Sequence, residues 1–145
     1  MNDFKCKLIY IEDNEDEVHI FQKVLKKLGI QIETEYYYDG KSAFEYLNSI
    51  SDTGDESVKV LVVLDLNLPL ITGNEILKRL SKEKKIKKIP IIVFSGSESP
   101  KDRELCLSLG VKDFFTKPWS LNGYEDFIKG PLLREFQQIC PSQST

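Results

Sequence analysis

The sequence predicts an α/β fold in which a parallel sheet is covered by helices on both faces. Short apolar segments alternate with stretches of helical periodicity, in five repeats of strand and helix. Two of the segments, residues 60–64 and 89–94, are almost continuous in apolar residues. Such runs are typical of strands buried on both faces of a parallel sheet. Because strand–helix–strand crossovers are right-handed, this order favours a doubly wound sheet.

Three further segments are predicted strands. Residues 8–11 form a short apolar run near the start of the chain, and the weaker segment 32–38 contains three tyrosines and one threonine, residue types that favour extended structure. Residues 111–115 form the last predicted strand, although Lys112 and Asp113 interrupt its apolar character. Together with the two apolar runs, these segments complete a predicted sheet of five strands.

Apolar residues at three- and four-residue spacing predict the helices between the strands. Residues of the kind that begin or end helices flank these stripes. They are Gly29 after the first stripe, Thr72 before the third, and Ser99 followed by Pro100 before the fourth. The last helix is predicted over residues 121–140, with a break or kink at Gly130-Pro131.

Composition excludes several classes of protein. The 145 residues carry a formal net charge of −3, and 41% of them are hydrophobic, as in ordinary globular domains. A nucleic-acid-binding protein would normally present a basic face, which this balance disfavours. Because no apolar stretch reaches the roughly 18 residues of a membrane span, and no signal peptide begins the chain, we expect a cytoplasmic protein without membrane or nucleic-acid partners.

The cysteine content predicts reduced thiols. Cys6, Cys106 and Cys140 are odd in number and have no paired spacing, which disfavours both a disulfide framework and a structural zinc site. Reduced cysteines also fit a cytosolic protein.

Polar side chains follow four of the predicted strands. In doubly wound sheets, ligands bind beyond the carboxyl ends of the strands, so a functional site is expected among the residues at these ends. They are Glu12, Asp13 and Asn14 after the first strand, Asp65 and Asn67 after the third, Ser95 after the fourth and Lys117 after the fifth. If these strand ends share one edge, three carboxylates, a hydroxyl and an ammonium converge.

This combination of groups indicates phosphoryl transfer. Three crowded carboxylates repel one another, and a divalent cation with oxygen ligands, such as Mg²⁺, would relieve that repulsion. One carboxylate could then attack phosphorus, while the ammonium offsets charge on the phosphoryl oxygens. Taken alone, Asp65 could be a turn residue, and Glu12 and Asp13 could simply favour a helix N-terminus. The convergence of all four strand ends carries the functional interpretation.

In this order and spacing, the motifs resemble the receiver domain of two-component response regulators, over about residues 8–136. The motifs are Glu12-Asp13-Asn14, Asp65-Leu66-Asn67-Leu68-Pro69 with Gly73 downstream, Ser95-Gly96 and Lys117-Pro118. The chain looks most like the small stand-alone receivers that work with phytochrome-type and other sensor kinases. The resemblance implies a flavodoxin-like (βα)5 three-layer sandwich with strand order 2-1-3-4-5.

The resemblance also implies a role for each residue of the site. Asp65 would accept the phosphoryl group, and Lys117 would contact that group once it is attached. Mg²⁺ would be bound by Asp13, Asp65 and the backbone carbonyl of Asn67, with Glu12 acting directly or through water.

Four further positions match family features of switching and lifetime. Ser95 would be the switch hydroxyl, and Phe114 the aromatic side chain that swings inward on activation. Asn67 and Ser97 match positions that tune the lifetime of the phosphate. Pro118 matches the position of a cis peptide bond.

The expected partner is a sensor histidine kinase or a histidine phosphotransfer protein. A homodimer through the face of the fifth strand and fifth helix is a further possibility, and Trp119 and the segment after Pro131 are its best candidates. We expect one domain over residues 1–145, with a core over about 5–138, a flexible tail at 141–145 and no separate output domain. The chain is expected not to be an enzyme, apart from slow self-phosphorylation and autodephosphorylation.

Three alternatives are less consistent with the residues. A phosphatase of the haloacid dehalogenase type needs a second acid two residues after the nucleophile, where this chain has Asn67. A flavin- or nucleotide-binding module needs a phosphate-cradling loop, whereas the loop after the first strand is strongly acidic. A receiver-like domain that only binds a partner would not need the full acid set together with Lys117.

Overall fold

The computed structural model describes residues 5–53 and 57–141 of the chain. The strands are β1 (Lys5–Ile11), β2 (Thr34–Tyr37), β3 (Val58–Leu64), β4 (Ile91–Ser95) and β5 (Asp113–Thr116). The helices are α1 (Glu15–Lys27), α2 (Gly40–Thr53), α3 (Gly73–Lys82), α4 (Pro100–Leu109), α5 (Leu121–Phe127) and α6 (Leu133–Ile139). A 3-10 turn, Ile86–Lys88, precedes β4, and a π-helical turn, Ile128–Leu132, joins α5 to α6.

The five strands form one parallel sheet in the order β2-β1-β3-β4-β5. This confirms the predicted doubly wound α/β fold and its 2-1-3-4-5 order. The chain reverses its direction of winding after β2, so β1 and β3 lie side by side over seven paired residues, from Lys5–Val58 to Ile11–Leu64. The residues that directly follow these two strands therefore start out as neighbours.

Two apolar layers hold the sheet, one on each face. Along β3, Val60, Val62 and Leu64 pack into the layer that includes α3, while Leu61 and Val63 pack into the layer with α1, α5 and α6. The alternation follows from the two-residue period of a strand. Because both faces of β3 pack against apolar layers, its residues form a continuous apolar run. The strand was predicted from that run.

The predicted helix starts are confirmed by side-chain caps. The Thr72 hydroxyl accepts a hydrogen bond from the Glu75 backbone N–H at 3.2 Å. The Ser99 hydroxyl accepts one from the Asp102 N–H at 3.4 Å, with Pro100 in the first turn. Such caps satisfy backbone donors that have no partner within the helix.

The predicted interruption near Gly130-Pro131 is confirmed, and one side of the segment beyond it belongs to the core. Proline cannot donate the expected helical hydrogen bond, and the chain passes through a wider π turn there. After it, Leu132 and Phe136 are 1% and 2% exposed and pack in the same apolar layer as β1 and β3. Arg134 and Gln138 of the same segment are exposed, so its role as an interface candidate stays a prediction.

The prediction of reduced cysteines is wrong for two of the three. Cys6, in β1, and Cys140, directly after α6, form a disulfide with a Cα–Cα distance of 6.2 Å. That separation is within the ordinary range for disulfides. The fold brings together two residues that are 134 positions apart, a proximity that cysteine spacing cannot reveal. Cys106 is a buried free thiol, and burial raises its pKa to about 11.

Two further expectations concern the chain as a whole. Of the predicted flexible tail, residues 142–145 lie outside the described residues, and the assignment of residues 1–145 to one domain stays a prediction. None of the helices in the described part of the chain has the length and apolar character needed to cross a membrane.

Reduction of the disulfide is expected to destabilise the fold. A bridge that closes nearly the whole chain restricts the unfolded state strongly, and native disulfides typically contribute about 2–4 kcal/mol. Thermal unfolding of the wild-type protein should therefore shift to lower temperature when dithiothreitol is added. A Cys6→Ala/Cys140→Ala variant should unfold at the lower temperature with and without the reductant.

Cys106→Ala is the matched control, because it removes a thiol that is not part of the bridge. It should keep the full response to dithiothreitol, whatever its own effect on stability. Labelling of three thiols in the unfolded, non-reduced wild-type protein would contradict the disulfide.

Candidate functional site

The candidate site lies at the carboxyl ends of β1, β3 and β5, where backbone hydrogen bonds fix the residues that follow each strand. The Asp65 N–H donates to the Ile11 carbonyl at 3.0 Å, which ties the end of β3 to β1. The Lys117 N–H donates to the Ser95 carbonyl at 2.7 Å, which ties the end of β5 to β4. The side chains at these positions are therefore held by the sheet itself.

Three carboxylates meet at this edge, as predicted. Glu12, Asp13 and Asp65 each offer an oxygen, and these three oxygens lie within 4.8 Å of one another. Glu12 and Asp65 are only 1% and 3% exposed, whereas Asp13 is on the surface. Two carboxylates are therefore almost fully removed from water, and the third forms the open side of the cluster.

The Lys117 ammonium is the cation that enters this cluster. It forms ion pairs with Glu12, with Glu17 Oε1 at 3.0 Å and with Asp65 Oδ2 at 3.5 Å. Its side chain is 11% exposed, so these contacts are poorly screened by solvent. Lys117 thus bridges the acids of β1 and β3 to the end of β5.

Burial and like charge dominate the protonation of the acids. Burial, followed by the charge of Asp65, raises the pKa of Glu12 to about 8, although the Lys117 contact opposes the shift. Burial likewise raises the pKa of Asp65, against the opposing effect of Lys117. Burial acts to lower the pKa of Lys117, but the surrounding carboxylates outweigh it and raise that pKa overall. The cluster carries more negative charge than Lys117 offsets.

The donor set fits a hard divalent cation. Asp65 Oδ1 is buried and has no hydrogen-bond partner among the described residues, which is costly for a carboxylate oxygen. Glu12 and Asp13 supply further carboxylate oxygens at the same place, and Asn67 lines the same cavity. Ligands that are all oxygen suit Mg²⁺ or Mn²⁺ rather than a softer metal.

Close packing of Gly73 shapes the loop that follows β3. A Cβ atom at Gly73 would lie 2.5 Å from the Asp65 carbonyl oxygen and 2.7 Å from the Leu66 Cα. The Gly73 N–H donates to the Leu66 carbonyl at 2.9 Å. The first residue of α3 therefore has to be glycine so that the helix can approach the backbone of Asp65.

The predicted switch residues lie beneath the cavity and not in its wall. Ser95 is fully buried, and the cavity is lined at this strand end by Gly96. Phe114 is 3% exposed and packs in the apolar layer with Ile86 and Cys106, so its ring is already inward in this structure. Ser97 donates to Asp102 at 2.5 Å at the start of α4.

The expected cis peptide at Pro118 is not found, because the described peptide bonds are all trans. The trans isomer is the intrinsically favoured one for a bond to proline, by about 0.5–1 kcal/mol. Pro118 packs tightly against Gly123, where an added Cβ would lie 2.3 Å from the Pro118 Cβ.

The cavity above the carboxylate cluster has a volume of about 480 Å³. Some of the residues that line it were not predicted as site residues from the sequence. Glu17 and Tyr124 line it, and the Tyr124 hydroxyl donates to Glu17 Oε1 at 3.0 Å. Glu98 and Trp119 also line it, and Trp119 is 97% exposed at its rim. The one available signal for Glu17 was its place among the acidic residues of the first turn of α1, which follows β1 directly.

Comparison with known proteins identifies the family. The family model of the response regulator receiver domain matches residues 8–129. The chain is 30% identical over 113 residues to the probable methanogenesis regulatory protein FilR2 of Methanothrix harundinacea, covering 78% of this chain and 72% of that protein. It is 28% identical to the response regulator Rcp1 of a Synechocystis species, covering 85% and 84% of the two chains.

Solved structures agree with this result. The phosphorylated cyanobacterial phytochrome response regulator RcpA matches with a TM-score of 0.74 and 28% identity over 97% of both chains. The Mn²⁺-bound form of Rcp1 matches with a TM-score of 0.70 and 26% identity, over 87% of this chain and 94% of that one. Sequence, fold and the acidic edge of the sheet lead to one conclusion: the chain belongs to the response regulator receiver domain family.

Proposed function

We propose that Asp65 accepts a phosphoryl group from a sensor histidine kinase or histidine phosphotransfer protein, in a reaction that depends on Mg²⁺. The observation that carries this proposal is the state of the Asp65 carboxylate. One oxygen faces Lys117 at 3.5 Å, and the other is buried without a hydrogen-bond partner among the described residues. The Asp65 carboxylate is therefore oriented by Lys117, while one of its oxygens still lacks a hydrogen-bond partner among the described residues.

The chemical step follows from these groups. An oxygen of Asp65 forms a bond to phosphorus while the phosphorus–nitrogen bond of the donor's phosphohistidine breaks. The electron pair of that bond stays on the imidazole, which takes up a proton. Lys117 is placed to offset charge on the phosphoryl oxygens, as cations do in phosphoryl transfer.

Glu12, Asp13, Asp65 and the backbone carbonyl of Asn67 are the groups that would hold the Mg²⁺ ion. When bound, the ion would neutralise charge between the acids and the transferred phosphoryl group. The Mn²⁺-bound form of the relative Rcp1 supports binding of a divalent cation, and the phosphorylated form of RcpA supports the modification itself.

We further propose that the chain acts as a signal carrier and not as an enzyme. Asn67 stands where a phosphatase of this general type would need a second acid, so the acyl phosphate should be lost only slowly. Phosphorylation would then alter the face formed by α4, β5 and α5 for binding of a partner or for dimerisation. The cytoplasmic location inferred from the sequence stays a prediction.

The acceptor assignment is tested by phosphorylation with acetyl phosphate. Intact mass spectrometry in the presence of Mg²⁺ should detect one phosphoryl adduct, which is absent with EDTA and absent in Asp65→Asn. Asp126→Asn is the matched control, because Asp126 is an exposed acid on α5 with a side chain that is 75% exposed. An adduct that survives in Asp65→Asn would falsify the assignment.

The metal assignment is tested by substitution of the exposed acid of the cluster. Asp13→Asn should weaken Mg²⁺ or Mn²⁺ binding by at least about tenfold, since even residues around metal ligands cost that much when replaced. Because Asp13 is on the surface, the thermal unfolding of the variant should be close to that of the wild-type protein. Isothermal titration calorimetry measures the binding.

Asp16→Asn is the control for this experiment, because Asp16 is an exposed acid in the first turn of α1 and lies outside the carboxylate cluster. An equal loss of affinity in both variants would mean that general negative charge, and not ligation, attracts the cation.

The proposed switch is tested through Ser95. Ser95→Ala should still become phosphorylated on Asp65, but any dimerisation that follows phosphorylation should weaken, because the hydroxyl would no longer contact the phosphoryl group. Analytical ultracentrifugation with and without acetyl phosphate measures this. Ser108→Ala, on the exposed face of α4, serves as the control. Unaltered dimerisation in Ser95→Ala would remove Ser95 from the switch.

A further inference from the structure

Glu17 shares the Lys117 ammonium with the acceptor site although it does not belong to the predicted site residues. Its Oε1 lies 3.0 Å from Lys117 Nζ, closer than Asp65 Oδ2 at 3.5 Å. Glu17 is on α1 and lies outside the group of three acids whose oxygens could surround one metal ion. The Glu17 carboxylate is therefore not among the expected metal ligands and remains available to contact Lys117.

Tyr124 fixes the Glu17 carboxylate in this position. The Tyr124 hydroxyl donates to the same Glu17 oxygen that contacts Lys117, at 3.0 Å. The Tyr124 ring is 6% exposed and packs edge-on against Phe94 with a centroid distance of 5.5 Å. Burial, followed by the charge of Glu17, raises the pKa of Tyr124, so the hydroxyl keeps its proton and remains a donor. The Glu17 carboxylate is thus held in place by a hydrogen bond from a residue of α5.

A phosphoryl group on Asp65 would compete for the same ammonium. An ammonium has three N–H donors, and Lys117 already has three carboxylates around it. Phosphoryl oxygens on Asp65 would take the place of the Asp65 contact, and any further contact between them and Lys117 requires Glu12 or Glu17 to give up its own. Glu12 is almost completely buried, so water cannot replace its contact with Lys117 if that contact is lost. The Glu17 side chain is 25% exposed and can be hydrated when it is released.

We propose that Glu17, fixed by Tyr124, is a positioning residue that holds the Lys117 ammonium until an incoming phosphoryl group displaces it. The inference rests on the proposed function of Asp65 as the acceptor. In the unphosphorylated protein, Lys117 is drawn toward α1 as well as toward Asp65. A phosphodonor then has to compete with Glu17 for Lys117, which raises the donor concentration that the reaction requires.

The test compares Glu17→Gln with Glu98→Gln in a titration with acetyl phosphate at saturating Mg²⁺. Both substitutions remove one negative charge from the cavity wall, but Glu98 is exposed and only Glu17 is ion-paired with Lys117. The half-saturating concentration of acetyl phosphate should fall about three- to tenfold in Glu17→Gln and by less than about twofold in Glu98→Gln. The maximal rate should change less than this concentration, because the effect is on capture of the donor.

The role of Tyr124 is tested by Tyr124→Phe, which keeps the buried ring and removes the hydroxyl. If Tyr124 acts through Glu17, the substitution should shift the half-saturating concentration in the wild-type background and have no effect in Glu17→Gln. An equal effect in both backgrounds, or none in the wild type, would exclude Tyr124 from the arrangement.

The outcomes separate this inference from the proposed function. If the wild-type protein is not phosphorylated on Asp65, the proposed function itself is wrong. If it is phosphorylated, but Glu17→Gln has the wild-type half-saturating concentration, a higher one, or a decrease matched by Glu98→Gln, only the role of Glu17 is overturned. Thermal unfolding of each variant shows whether the native fold is kept.

Discussion

The carboxyl edge of the sheet gathers more negative charge than one lysine can neutralise, and the properties of the site depend on that imbalance. The Glu12 and Asp65 oxygens lie within 4.8 Å of each other. At an effective dielectric constant of 20, such a pair repels by at least about 3 kcal/mol, and each buried ion also loses several kcal/mol of hydration. Lys117 offsets part of this cost through its contacts with Glu12 and Asp65. Burial and the charge of Asp65 nevertheless outweigh Lys117 at Glu12, and its pKa is raised.

The strand order explains why these residue types occupy these positions. β1 and β3 are neighbours, so the short side chains of Asp13 and Asp65 can meet at their ends. β5 lies two strands away from β3, about 10 Å at the usual spacing between strands. Only a long, flexible side chain that carries a point charge spans that gap, which suits Lys117 better than a shorter or planar cation. The strand order therefore determines both where the acids lie and how long the side chain of Lys117 has to be.

The fold and most of the site were predictable because both depend on local patterns. Alternating elements predict a doubly wound parallel sheet, and the resemblance to receiver domains supplied its strand order. Asp65 and Lys117 follow directly from strand ends, which meet at one edge in such a sheet. Glu17 and Tyr124 were missed because they project from helices, and the side of a helix that faces the site is set by how the helix packs. The Cys6–Cys140 bridge was missed for a similar reason, since it depends on where the chain returns after the π turn.

Two sets of contacts formed by Lys117 could transmit the effect of phosphorylation to the surface of this receiver. Its backbone N–H donates a hydrogen bond to the Ser95 carbonyl at the end of β4. Its side chain forms an ion pair with Glu17, which accepts a hydrogen bond from the Tyr124 hydroxyl on α5. Phe114 is already buried, so an inward movement of this ring would release little additional free energy. A shift of Lys117 toward a phosphoryl group, by contrast, changes a contact that is formed in the present state. A ligand changes an equilibrium only by its differential interaction with the two states, and in the proposed arrangement Glu17 is the partner that supplies this difference.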